Sequence, residues 1–301
     1  MVVISKTDTQ KLQFDLAFAI GLLYTFQMNT PSDIFSVNGR KILGVAFDLE
    51  GTLVNLEKLH WDAHMRASEE AGLDLYLNLE DFNDPKNTET FLLLPHFIGS
   101  PREVIMQDIV TLARQQHTLD PNLAKLSDNE LVAYFSKIDK DHFENTFANL
   151  TEKDCQPRVG AIELIRQLKA KGIPIAIGSL TESISARKIL KLSGLDKEFE
   201  GYPVILREDV KKLKPDPEVY LATARAMGID PKNQLVFEDS HTGVQAGVEA
   251  GSVVVGIPTV YQEDLVSRLL ESRAYMTVRE WQYAPFYPRE LSSLRNPMER
   301  K

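Results

Sequence analysis

The sequence lacks several features that would have defined its class at once. Of its 301 residues only Cys155 is a cysteine, which excludes an internal disulfide framework and favours a reducing, cytoplasmic compartment. No apolar run reaches the length of a membrane span without a charged residue. The apolar segment 16–26 has no small-residue cleavage site at its end, which argues against a secretory signal. Internal repeats and low-complexity tracts are not found either.

An excess of positive charge is also lacking. The 34 lysine and arginine residues are outnumbered by 43 aspartate and glutamate residues, so the formal net charge is −9. We therefore expect no nucleic-acid partner and no anionic membrane surface. A small anionic substrate stays open, because the field of a local pocket can oppose the overall charge. With 43% hydrophobic residues the chain can bury one large core or two smaller ones.

The stretch that organises the chain runs from Ile42 to Val54. It begins with an apolar run of strand length, presents Asp48 and Glu50, and turns at Gly51. Because side chains alternate along a strand, both acids can face one pocket at its carboxyl end. That edge is where open α/β sheets bind their ligands. One nucleophile and one proton carrier would suit acyl-phosphate chemistry, whereas the ordinary alternative is a strand followed by an acidic turn.

Hydrophobic periodicity divides the rest of the chain into regions. Apolar residues at helical spacing predict a helix over 9–28, which could pack on the core, form a dimer element or precede a true start at Met28. A long helical region follows the first strand. Strands and helices then alternate, which predicts a parallel, doubly wound sheet. The predicted divisions are an N-terminal extension (1–40), the first core strand (41–54), a helical insertion (55–156), the remaining core (157–281) and a C-terminal tail (282–301).

Three further motifs lie at predicted strand ends or helix starts. The strand 175–178 leads into Ser179, whose hydroxyl could bind an anionic oxygen beside the amides of the next helix. Lys214 lies in a Lys-Pro-Asp-Pro run, where it could neutralise developing negative charge. Another strand ends in Glu238 and Asp239, an acid pair that suits Mg²⁺. The ordinary alternatives are a helix-capping serine, a solvated basic loop and a surface acid pair.

Four motifs in this order resemble the haloacid dehalogenase superfamily, in particular its β-phosphoglucomutase-like and phosphoglycolate phosphatase-like members. The resemblance implies an α/β fold with a doubly wound, Rossmann-like parallel sheet, and makes the insertion 55–156 an all-helical cap domain. It also implies a Mg²⁺-dependent phosphatase that acts on a small phosphorylated metabolite. In it, Asp48 forms an aspartyl phosphate, Glu50 carries protons and Lys214 neutralises charge. The implied Mg²⁺ ligands are Asp48, the Glu50 carbonyl, Glu238 and Asp239, and the implied substrate contacts are Gly51, Thr52, His60, Arg102, Ser179, Leu180 and Thr181.

Features of the motif and of the cap leave alternatives open. Glu50 stands where most members have Asp, and it reaches one methylene further with nearly the same intrinsic pKa. Arg102 could bind a second anionic group of the substrate or could be a surface arginine at a helix start. His60 and His64 are four apart and could share a metal, although a pair without metal is favoured. A sugar phosphomutase and a weakly active or non-catalytic phospho-ligand-binding protein remain alternatives, as a monomer or a homodimer.

Overall fold

The structure of the protein is a computed structural model that describes residues 36–281 apart from 80, 82–83, 98–99, 261–262 and 280. The predicted helix over 9–28 and the predicted tail lie outside the described residues. Within the described part, no helix is both long and apolar enough to cross a bilayer.

A small hairpin begins the described chain. Strands β1 (Ser36–Val37) and β2 (Arg40–Lys41) pair antiparallel. They are joined by Asn38 and Gly39, which both have positive φ. Asn-Gly is the residue pair that two-residue hairpin turns favour, because it tolerates the left-handed conformation at both positions. The sequence analysis did not anticipate this hairpin, although the dipeptide was a usable signal.

The centre of the fold is a parallel sheet, which confirms the predicted fold class. Its strands follow the order β5-β4-β3-β6-β7-β8, and every pairing is parallel. The four inner strands are fully buried and read as continuous apolar runs, as expected for a parallel sheet covered on both faces. The strands are β3 (Gly44–Phe47), β4 (Ile175–Gly178), β5 (Val204–Ile205), β6 (Gln234–Glu238), β7 (Val253–Gly256) and β8 (Met276–Thr277).

The described chain between β3 and β4 is helical, which confirms an inserted helical cap. Ser127 starts the last of its helices with a capping box, since its Oγ accepts the Glu130 amide and the Glu130 side chain accepts the Ser127 amide. Aromatic and aliphatic side chains such as Trp61 and Phe135 form a separate core for the cap, and Val260 of the sheet domain joins it. The helices are α1 (Glu57–Glu70), α2 (Asn87–Leu93), α3 (Arg102–Gln116) and α4 (Asp128–Ala148), with a 3₁₀ turn at Leu123–Lys125.

Further helices connect the strands of the sheet. They occur in the alternation with strands that the sequence predicts. The side chain of Lys188 joins cap and core, because its Nζ donates at 2.7 Å to the carbonyls of both Phe147 and Ala148 at the end of α4. These helices are α5 (Ala161–Ala170), α6 (Ser183–Ser193), α7 (Leu195–Glu198), α8 (Glu218–Ala226), α9 (His241–Glu249) and α10 (Glu263–Glu271).

Candidate active site

The ends of three neighbouring strands bring the predicted core motifs together. In the sheet register, Phe47 of β3 lies opposite Ile177 of β4 and Phe237 of β6. The carboxyl ends of these parallel strands therefore meet at one edge, which is the usual ligand edge of such sheets. The predicted site residues at that edge are Asp48, Ser179, Glu238 and Asp239.

Lys214 lies between two of these carboxylates and not in a solvated loop. Its Nζ is 2.6 Å from Asp48 Oδ1 and 2.5 Å from Glu238 Oε1, and it also donates to the Gly178 carbonyl at 3.2 Å. The Lys214 side chain is only 7% exposed. Burial alone would lower the pKa of Lys214, but the two carboxylates raise it above its ordinary value, so the ammonium stays charged.

Glu238 is fully buried and both of its oxygens accept hydrogen bonds from the protein. Oε1 accepts from Lys214 and from the Tyr220 hydroxyl at 2.7 Å. Oε2 accepts from the backbone amides of Asp239 and Ser240 at 3.0 and 3.1 Å. Glu238 thus holds the lysine and the turn after β6 in place. A metal contact of Glu238, as predicted from the sequence, would compete with these donors.

Asp239 is surrounded by more negative charge than hydrogen bonds can compensate. Thr52 Oγ1 donates to Asp239 Oδ1 at 3.1 Å. Gly51 has a φ of +81°, and a Cβ there would lie 2.0 Å from Asp239 Oδ2, so only glycine fits the turn. Burial, together with the charges of Glu238 and Asp48, raises the pKa of Asp239 well above its ordinary value. A bound cation would stabilise the ionised form of Asp239, which Arg158 already favours.

The donors at this edge fit a hard divalent cation. Burial raises the pKa of Asp48 to about 7, against the opposing effect of Lys214, so its charge is also incompletely balanced. No three His, Cys, Asp or Glu side chains converge as metal ligands in the described part of the chain. The Asp48 and Asp239 carboxylates and the Glu50 carbonyl would leave the remaining positions to water, which Mg²⁺ retains readily.

Glu50 lies beside the cap and has two partners. Thr181 Oγ1 donates to Glu50 Oε1 at 2.5 Å, and His60 Nε2 lies 3.9 Å from Glu50 Oε2. Burial would raise the pKa of Glu50, but the interaction with His60 and the hydrogen bond from Thr181 lower it overall. Burial would lower the pKa of His60, but Glu50 and Glu57 raise it. The two side chains form an ion pair, and the structure thus brings these predicted residues together.

The loop after β4 contributes hydroxyls. Ser179 Oγ lies 3.0 Å from Thr181 Oγ1 and accepts the Thr181 amide at 3.3 Å. The Leu180 side chain packs against the core cluster, so only its backbone is available to a ligand. Thr181 donates its hydroxyl to Glu50, and its predicted contact with the substrate stays a prediction. Ser179 thus remains the side chain of this loop that fits a phosphoryl oxygen.

Arg158 holds the turn that carries the first motif, a role that the sequence analysis missed. Its guanidinium donates to the carbonyls of Gly51 at 2.7 Å, Ile257 at 2.8 Å and Pro258 at 3.0 Å. It thereby ties the turn after β3 to the segment after β7. Nothing in the local sequence distinguishes this arginine, because its acceptors are backbone atoms from distant parts of the chain.

A cavity of about 280 Å³ opens between the hinge helix α1 and helix α3. His60, which pairs with Glu50, forms part of its wall and so connects it to the proposed chemistry. The wall combines charged, polar and apolar side chains. Its lining residues are Glu57, His60, His64, Phe97, Ser100, Arg102 and Ile105.

The cap residues are organised by Asp139, which the sequence analysis also missed. Asp139 is 1% exposed, its Oδ2 lies 2.5 Å from His64 Nδ1, and its Oδ1 accepts from Arg102 Nε. His60 and His64 have different carboxylate partners, and their ring centroids are 6.5 Å apart. This favours the predicted pair without metal. Arg102 is part-buried, pairs with Asp139 through Nε and lines the cavity, so its contact with an anionic group of the substrate stays a prediction.

The comparisons with known proteins agree with the fold and with the motifs. The sequence pattern of the haloacid dehalogenase-like hydrolase family matches residues 42–251, a segment that contains all four motifs. This chain belongs to the haloacid dehalogenase-like hydrolase family.

The individual relatives share about a quarter of their aligned residues with this chain. A Thermotoga maritima phosphorylated carbohydrates phosphatase is 26% identical over 207 residues, which are 69% of this chain and 81% of the relative. The Arabidopsis thaliana protein SUPPRESSOR OF QUENCHING 1 is 26% identical over 75% of this chain, but the match spans only 19% of that longer protein. Among solved structures, a Deinococcus radiodurans R1 hydrolase of the same family, with bound phosphate and sodium, aligns with a TM-score of 0.57 and 26% identity. The alignment covers 79% of this chain and 90% of that one.

Proposed function

We propose that the protein is a Mg²⁺-dependent phosphatase that hydrolyses a small phosphorylated metabolite through an aspartyl phosphate on Asp48. The observation that carries the proposal is the 2.6 Å contact between Asp48 and Lys214 at the edge where burial and neighbouring carboxylates raise the pKa of Asp239. A nucleophilic carboxylate, a fixed cation and room for a second cation are what phosphoryl transfer needs.

Each residue at the edge of the sheet has a separate role in the proposed reaction. Asp48 attacks phosphorus in line, and the bond from phosphorus to the leaving oxygen breaks. Lys214 and the Ser179 hydroxyl stabilise charge on the phosphoryl oxygens. The carboxylates of Asp48 and Asp239 and the carbonyl of Glu50 would hold Mg²⁺. The ion would supply positive charge that neutralises the phosphoryl group and lowers the barrier to attack by a carboxylate.

Glu50 serves as the proton carrier in this scheme. The His60 ring, 3.9 Å away and with a raised pKa, is a source of the proton that Glu50 passes to the leaving oxygen. In the second step the Glu50 carboxylate takes a proton from the water that attacks the aspartyl phosphate. Thr181 fixes the longer glutamate arm by its 2.5 Å hydrogen bond, which explains how Glu can work where the family usually has Asp.

The relatives support this reaction class. The Thermotoga relative is named for phosphatase activity on phosphorylated carbohydrates, and the Deinococcus structure contains phosphate. The match spans a small part of the plant relative, so the activity of that longer protein is not transferred. The cytoplasmic location and the monomeric or homodimeric state remain predictions.

Phosphate release separates the proposal from its alternatives. Wild type and Asp48→Asn are assayed on a panel of small phosphate esters with and without Mg²⁺, and inorganic phosphate is measured. We expect Mg²⁺-dependent release by the wild type alone. Recovery of an isomeric sugar phosphate without phosphate release would instead identify a mutase. Binding without either product would identify a non-catalytic protein.

A further inference from the structure

The cap cavity holds basic side chains, but each of those described in its wall has a carboxylate partner. Arg102 and His64 share Asp139, and His60 pairs with Glu50. Asp139 is buried, so its charge acts on these partners with little screening by solvent. A second anionic group of a substrate would therefore find Arg102 already neutralised.

The direction of the His64 hydrogen bond determines what this ring can offer a ligand. A carboxylate oxygen only accepts hydrogen bonds, so the proton of the 2.5 Å contact belongs to His64 Nδ1. The ring also packs edge-on against Phe97, with centroids 5.3 Å apart, which fixes its orientation. The wall therefore holds the His64 ring in one orientation, with Nδ1 committed to the Asp139 carboxylate.

Glu57 adds negative charge to the same wall. It lies in the first turn of α1 and lines the cavity together with His60 and Arg102. Phe97 and Ile105 supply apolar surface. The wall as a whole presents hydrogen-bond acceptors, the Ser100 hydroxyl and an apolar face, which suits a neutral hydroxyl-bearing group and opposes a carboxylate or a second phosphate.

We propose that the cap cavity selects phosphate esters whose leaving group is neutral and carries hydroxyls, such as a polyol or a sugar, and that Asp139 sets this selectivity by occupying Arg102. The inference rests on the proposed phosphatase function. Asp139 is a positioning residue, because it acts on the substrate through Arg102 and His64.

A matched pair of substrates tests the inference directly. Glycerol 3-phosphate and 3-phosphoglycerate share a carbon skeleton and differ in a hydroxymethyl group against a carboxylate. We expect the wild-type kcat/KM to favour glycerol 3-phosphate on the order of tenfold or more, because a carboxylate would meet Asp139 and Glu57. Asp139→Asn frees Arg102 and should move the ratio toward 3-phosphoglycerate by about tenfold.

The matched control is Asp141→Asn on the same helix. Asp141 is exposed and pairs with Lys137 on the surface, so the ratio should stay at the wild-type value. A wild type that prefers 3-phosphoglycerate, or a folded Asp139→Asn with an unchanged ratio, overturns the inference. The wild-type ratio needs no variant, so the inference can still be rejected if Asp139→Asn does not fold.

Different results would reject the phosphatase function and the selectivity of the cap cavity. If the wild type with Mg²⁺ releases no phosphate from either ester or from p-nitrophenyl phosphate, the proposed function fails. If p-nitrophenyl phosphate is hydrolysed in an Asp48-dependent manner but neither ester is accepted, or the carboxylate ester is preferred, only the inference on selectivity fails.

Discussion

The sheet edge and the cap cavity both combine carboxylates with basic side chains, but in opposite proportions. At the edge, Lys214 contacts two of three neighbouring carboxylates, and the third, Asp239, has a strongly raised pKa. In the cavity, one carboxylate, Asp139, contacts both Arg102 and His64. At the edge one lysine faces several carboxylates, whereas in the cavity one carboxylate holds two basic side chains. The edge is thus suited to a cation and a phosphoryl group, whereas the cavity is suited to recognition by hydroxyls and shape.

Removing the nucleophile should have the largest effect. Asp48→Asn keeps the shape of the side chain but cannot attack phosphorus, so turnover should fall by roughly 10⁴-fold or more. Phosphate release from p-nitrophenyl phosphate measures turnover, and circular dichroism checks the fold, with Asp141→Asn as the surface control. Activity within a few-fold of the wild type would reject Asp48 as the nucleophile.

Removal of Mg²⁺ or of the Asp239 carboxylate at the sheet edge should have the second-largest effect. Chelation with EDTA should abolish phosphate release, and added Mg²⁺ should restore it. Asp239→Asn should need much more Mg²⁺ for half-maximal activity, because the variant loses an anionic ligand. Activity that survives exhaustive chelation would show that the edge does not work with a metal.

Glu50 lies at the sheet edge and contacts His60 of the cap, so substitutions of Glu50 test the connection between the two regions. Glu50→Gln keeps the shape and loses the proton, so hydrolysis of the best small-metabolite substrate should fall by roughly 10²–10⁴-fold. For substrates with very good leaving groups, the rate of the first step should fall less, because such groups need little protonation. Glu50→Asp restores the usual residue of the family and should retain activity. Wild-type rates in Glu50→Gln would point to another acid–base group or to a differently organised site.

A smaller effect is expected at the residue that fixes Glu50. Thr181→Val removes the hydroxyl that donates at 2.5 Å to Glu50 and keeps the branched shape. A net hydrogen bond to a charged group is worth about 1.5–3 kcal/mol, so kcat should fall by about 10- to 150-fold. Thr181→Ser keeps the hydroxyl donor, so its kcat should stay near the wild-type value. Equal rates in the two variants would show that Thr181 does not position Glu50.

The smallest effect concerns the attachment of the cap. Lys188→Met removes the ammonium that donates to the Phe147 and Ala148 carbonyls at the end of α4. A cation at a helix C-terminus contributes about 0.3–1 kcal/mol, so the urea midpoint should fall slightly while phosphate release persists. Lys137→Met, on the exposed face of α4, is the control. An unchanged midpoint in Lys188→Met would show that this contact does not stabilise the protein.

The sequence predicted the framework of the protein better than its contacts. The strands, the inserted helical cap and the fold class followed from apolar runs and from glycine, proline and serine signals, which act locally. The convergence of Asp48 and Asp239 could be predicted because strand ends of a parallel sheet meet at one edge, whereas the role of Lys214, which lies in a loop, followed from the resemblance to the family. The partners of Glu238 could not be predicted, because they depend on side-chain directions after the β6 turn.

The missed residues share a physical reason. Arg158 bonds backbone carbonyls far away in sequence, and Asp139 lies in the middle of an amphipathic helix among other acids. A buried carboxylate inside α4 looks like any solvated helix acid until its partners are known. This is why the ion pair between Arg102 and Asp139 inside the cap could not be predicted from the sequence.

The most direct test of the contrast between edge and cavity is a calorimetric titration of Mg²⁺ into three proteins without substrate. The wild type should bind Mg²⁺, Asp239→Asn should bind it far more weakly, and Asp139→Asn should bind it as the wild type does. No detectable binding by the wild type, or equal weakening by the two substitutions, would contradict the account.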